Sequence, residues 1–185
     1  LIDKGANINA GDKHGWTPLM FAASHGYADI IIALLEKGAE INVKDDRGDT
    51  PLMLSVSENK YEAIKCLIEK GAEINAKDNK GWAALHTAAG LGSLETVKLL
   101  VENGAEVNAK NSSGWTALYM AAGAGKLEVI KYLVNAGATV SAASVDGWTP
   151  IMIAKQNGHK EVVKYLEVNG KSLGSNQSGQ QTEGK

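Results

Sequence analysis

Apolar positions along this chain come in short bursts, each punctuated by glycine. Between residues 12 and 44 the first burst runs from Leu19 to Ser24, and the second places Ile30, Ile31, Leu34 and Leu35 at helical spacing. Asp12-Lys13-His14-Gly15 ahead of them has turn chemistry, because Asp bonds its own backbone and Gly supplies positive φ. Thr17 suits an N-cap and Pro18 the first helical position, whose N–H has no intrahelical partner. The pattern predicts a helix over 19–24, a break at Gly26, a second helix over 29–37 and a left-handed stop at Gly38. Both helices fall below the ~12–15 residues at which an isolated helix becomes marginally stable, so each pair must bury its apolar side on another pair.

The pattern then repeats. Turn glycines stand at 15, 48, 81, 114 and 147, a constant step of 33 residues, and Gly-Ala pairs at 5, 38, 71, 104 and 137 keep the same step. The turn glycine opens Gly15-Trp16-Thr17-Pro18-Leu19, and worn copies follow at 48–52, 81–85, 114–118 and 147–151. A fixed period of this length marks a repeat array.

The period, the Gly-Trp-Thr-Pro-Leu copies and the Gly-Ala pairs resemble the ankyrin repeat. The resemblance covers roughly residues 1 to 170. It implies an all-α fold, an ankyrin-repeat solenoid of helix-turn-helix units with protruding turns. Five repeats are expected at 12–44, 45–77, 78–110, 111–143 and 144–171. Residues 1–11 read as the tail of a preceding repeat whose front is missing. Residues 172–185, polar and rich in Gly, Ser and Gln, read as a disordered tail or linker.

Departures from the pattern carry expectations of their own. Ser55-Val56 and Asn59 replace the small pair and the glycine between helices, which predicts looser or adjusted packing there. Ala83-Ala84 loses the hydroxyl cap. The family's histidine after Thr-Pro-Leu survives only as His86, read as a capping or packing residue. Lys155 stands where a second small residue is usual, and Lys160, Glu161, Lys164 and Glu167 would solvate the last helix as a C-terminal cap. Asn42, Asn75 and Asn108 read as turn formers, although matching asparagines of animal ankyrin repeats are hydroxylated, which leaves modification as a second reading. Asp45-Asp46 reads as a solvated turn opening.

The scaffold positions are constant, so recognition falls to the variable ones. In the ankyrin family these are the turn tips and the exposed side of each first helix, which form a concave face. The matching candidates for partner binding are Trp16, Trp82, Trp115, Trp148, His14, Arg47, Asp49, Lys80, Phe21, His25, Leu54 and Met120. All four tryptophans follow a turn glycine, which predicts a row of rings at the ~8–10 Å step of packed helices, with a gap at Asp49. Two readings fit the row. It anchors a partner, as tryptophan does at interface hot spots, or each ring packs on the neighbouring turn.

Composition removes several classes. A net charge of −2 gives no general attraction to nucleic acid or an anionic membrane. No apolar run approaches the ~20 residues that span a bilayer. Cys66, the single cysteine, sits among Ile64, Leu67 and Ile68 and reads as a packed small hydrophobe in a reducing compartment. His14 and His25 share one repeat's recognition face, but no Cys or carboxylate cluster joins them to make a metal site. No phosphate loop and no hydrolase or zinc-protease motif is present. The expectation is a monomeric, cytoplasmic, non-catalytic scaffold without cofactor or metal that binds a protein partner. A second expectation, from the missing front and linker-like tail, is the targeting part of a larger enzyme or effector.

Overall fold

The computed structural model describes residues 7–174, with side chains to residue 169. The expectations for residues 1–6 and for the tail at 175–185 lie outside the described residues. The described residues form ten helices, in order: α1 Pro18–His25, α2 Ala28–Glu36, α3 Pro51–Ser57, α4 Tyr61–Glu69, α5 Ala84–Leu91, α6 Leu94–Glu102, α7 Ala117–Gly123, α8 Leu127–Asn135, α9 Pro150–Gln156 and α10 Lys160–Gly174. The described residues contain no strand. The chain is a solenoid of helix-turn-helix repeats.

Local chemistry sets the helix ends. Thr17, Thr50 and Thr116 are extended, and each hydroxyl accepts the N–H three residues on, at 3.4, 3.3 and 3.2 Å. Thr149 is extended too, but its side chain makes no capping bond. Gly26 turns left-handed at φ 84° to end α1, and Asn59 takes the equivalent role at φ 52°, which asparagine tolerates better than other side chains.

The helices form two layers. α1, α3, α5, α7 and α9 stack on one another, and α2, α4, α6, α8 and α10 stack behind them. Between the layers lies a continuous core that includes Leu19, Ile31, Leu52, Ile64, Leu85, Leu100, Leu118, Ile130 and Leu133. Ser55 and Val56 are fully buried in it, and the Ser55 hydroxyl donates to the Leu52 carbonyl at 2.8 Å. The repeat accepts its larger pair by satisfying the new polar atom, while the Ala-rich helices α5 and α7 make the most extensive pairing. Cys66 packs in this core, and burial pushes its thiol up. Ile30, expected on the buried side of α2, is instead 48% exposed. At the far end Lys155 of α9 pairs with Glu167 of α10 at 2.9 Å.

Hydrogen bonds stitch each repeat to the next. The Asn75 side chain donates to the Gly104 carbonyl at 2.9 Å and accepts the Glu106 N–H at 2.9 Å. Asn9, two repeats earlier, and Asn108, one later, do the same, and Asn42 between Asn9 and Asn75 accepts from the Glu73 N–H. These asparagines are therefore bridges between repeats, not simple turn formers. Lys44 and Lys110 reach a carbonyl of the following repeat at 2.8 and 3.0 Å.

Candidate functional site

Each protruding turn is a hairpin closed by its own side chain. Asp78 Oδ1 accepts the N–H groups of Lys80 and Trp82, both at 2.8 Å, and Asp12, Asp45 and Asn111 repeat that pair of bonds. Ser144 keeps one of them, to Trp148. The tips then pair along the array: Asp46 N–H donates to the His14 carbonyl, Asn79 to Arg47, Ser112 to Lys80 and Val145 to Ser113, at 2.9–3.1 Å. This contact leaves no room for a side chain at Gly48, where a Cβ would lie 2.8 Å from the Asn79 nitrogen. The tips and the stacked helices beneath them thus share one face.

Asp45 corrects the reading of a solvated turn opening. It is buried, and its carboxylate accepts from Arg47 N–H and Asp49 N–H at 2.9 Å and from the Trp16 indole N–H at 3.1 Å. The Arg47 guanidinium stands 3.6 Å away. Such a set of donors offsets the desolvation of the charge. Asp49 beside it is worse placed. Burial pushes its carboxyl above the ordinary range, the charges of Asp45 and Asp78 add to that, and Arg47, paired to it at 3.2 Å, opposes.

The tryptophans do not form an evenly spaced row. Trp82 and Trp115 meet edge to face with centroids 5.9 Å apart, closer than the helix step, because the rings lean toward each other across the tips. Trp115 stacks on Tyr119 at 5.5 Å, and Trp82 stands edge-on to His86 at 5.7 Å. Trp16 instead turns down on Phe21 at 5.0 Å. Trp16, Trp82 and Trp115 are half-buried, and Trp148 is 38% exposed. The rings both pack on the array and keep an open side.

Two cavities open on this face. The larger, about 620 Å³, lies between the second and third tips and brings together Arg47, Asp49, Leu54, Lys80 and Trp82 with Asp46, Met53 and Asp78. The smaller, about 450 Å³, joins His14, Trp16, Phe21 and Arg47. Four candidates stand apart from both, Trp115 in its ring pair and three others. His25 turns to stack on Tyr27, Met120 lies over Gly90, and Trp148 sits on the last tip. His14 and His25 therefore point to different neighbours, and the described residues contain no group of three or more metal-ligating side chains. No described helix is long and apolar enough to cross a membrane. Sequence reasoning missed Tyr119 as a face residue; its position four residues after Trp115 on a helix start was the available signal.

Two family models match the chain. The one described as ankyrin repeats (3 copies) covers residues 41–111 and 107–177, and the one described as ankyrin repeats (many copies) covers residues 1–54. No curated protein matches.

Proposed function

The chain belongs to the ankyrin repeat family, whose members generally mediate protein–protein interaction, and from that premise we propose a non-catalytic scaffold that docks one protein partner across its tip face. The observation that carries this reading is the Trp82–Trp115–Tyr119 cluster, packed ring on ring and half-open beside the larger of the two cavities. Large planar rings held by neighbouring groups present contact area at little cost in ordering, which is why aromatic side chains concentrate at interface hot spots. The face is also unsuited to a polyanion. Asp46, Asp49 and Asp78 outnumber Arg47 and Lys80 around the larger cavity, so a phosphate backbone would meet no excess of positive charge there.

The test starts from binders selected against the immobilised chain from a random peptide library. Trp82→Ala combined with Trp115→Ala, checked for folding by circular dichroism, should weaken the selected binders by about ten-fold or more. Substitution of Lys98 on the outer helix α6 should leave them unchanged. Binders that respond to the outer layer and ignore both tryptophans would overturn the proposal.

A further inference from the structure

We propose that the cavity beside Asp49 receives a long cationic side chain, arginine or lysine, of the partner. This rests on the docking reading above and adds the chemistry of one anchor.

The cavity exists because one indole is missing. At the first tip Trp16 lies across to the next repeat and donates to Asp45. The second tip has the short Asp49 in that slot, so Asp78 of the third repeat receives no indole from it and the space stays open. Its lining has two chemistries. Met53 and Leu54 form an apolar floor, the Trp82 ring stands at one side, and carboxylates edge the mouth. Lysine and arginine have the same division, an apolar stem and a charged head, and an indole adds cation–π attraction for that head.

Charge favours the same occupant. With Asp45 behind the rim, four carboxylates (Asp45, Asp46, Asp49 and Asp78) surround two cations, Arg47 and Lys80. Arg47 is already shared between Asp45 and Asp49, and its side chain is 68% exposed. Burial first, and then the charges of Asp45 and Asp78, push the Asp49 carboxyl up, and a second cation at the mouth would oppose that repulsion as Arg47 does. Arg47 also shows that the rim accepts a guanidinium, at 3.2 Å from Asp49 Oδ2. A neutral or acidic side chain would leave this imbalance in place and add desolvation of the carboxylates.

The experiment is a nuclear magnetic resonance titration of the whole chain with the capped tripeptide Gly-Arg-Gly and with its uncharged citrulline analogue. The arginine probe should give saturable shifts at the Trp82 indole N–H and at the Asp49 and Asn79 amides, and citrulline should not. Asp49→Asn, close in shape, should weaken arginine binding by about three- to ten-fold. Asp49→Trp, which restores the residue of the other four repeats, should abolish it. Equal shifts with citrulline, or arginine shifts that survive both substitutions, would overturn the inference. If selected binders depend on Trp82 and Trp115 while the arginine probe finds no seat, only this inference fails. If they ignore those rings, the docking reading fails.

Discussion

His86 holds three backbone groups with two ring nitrogens. The Ala83 N–H donates to Nδ1 at 3.1 Å, so Nε2 carries the proton and donates to the carbonyls of Ala109 and Trp115 at 3.0 and 3.1 Å. The ring must be neutral, since a proton on Nδ1 would face the Ala83 N–H. Burial pushes the imidazole below its ordinary value of 6.5, against the smaller opposing effect of its backbone hydrogen bonds. Between the lowered folded value and 6.5 the unfolded chain binds a proton that the folded chain excludes. Stability is therefore full above 6.5 and falls as the pH drops through that window. Thermal unfolding from pH 7.5 to 5 should show this loss. His86→Leu should flatten it while lowering stability at pH 7.5 by about 1–3 kcal/mol for each buried group left without a partner. The capping or packing role of His86 was legible from its place three residues after the helix start. The burial of Asp45 was not, because in sequence a turn carboxylate looks solvated. One of its partners, the Trp16 indole, comes from the preceding repeat, 29 residues away.

At the scale of the element, the five first helices start alike and are capped differently. α1 and α3 have threonine with proline behind it, α7 has threonine alone, and α5 has Ala83 with only the reverse bond from its own N–H to His86. Two substitutions follow with opposite signs. Thr50→Ala should cost ~0.5–2 kcal/mol of unfolding free energy in urea, through loss of the bond to Met53. Ala83→Thr should gain an amount of the same order, because Ala83 is already extended at φ −111° and ψ 162°, so the hydroxyl would meet the His86 N–H. A destabilised Ala83→Thr would mean that the cap position cannot accept the larger side chain. Helix number, order and the caps at Thr17, Thr50 and Thr116 were readable from the repeated pattern, while Thr149, which the pattern also places at a helix start, makes no capping bond. The split of the tryptophans into a Trp82–Trp115 pair and a Trp16–Phe21 pair was not, since ring tilt depends on what the next tip offers, and spacing alone does not encode it.

Across the whole molecule, stability rests on neighbour-to-neighbour links, as expected of a quasi-one-dimensional array. Asn75→Ala would remove two of the bonds that tie the second repeat to the third. The expected result is a loss of about 1–3 kcal/mol. Helical circular dichroism and tryptophan emission should also stop reporting a single coincident urea transition, because Trp16 lies on one side of the broken link and Trp115 and Trp148 on the other. Coincident transitions in the variant would show that core packing alone carries the coupling.

The tip hairpins have one more consequence. Their bonds run from each repeat to the next in the same way, so a partner laid along a strictly periodic surface could slide by one unit and find the same contacts. Asp49 breaks that equivalence. At one tip the surface offers a hollow with a negative mouth where the other four offer an indole. It acts as an index mark on a ruler, and a partner that seats a residue there is held in a single alignment along the array.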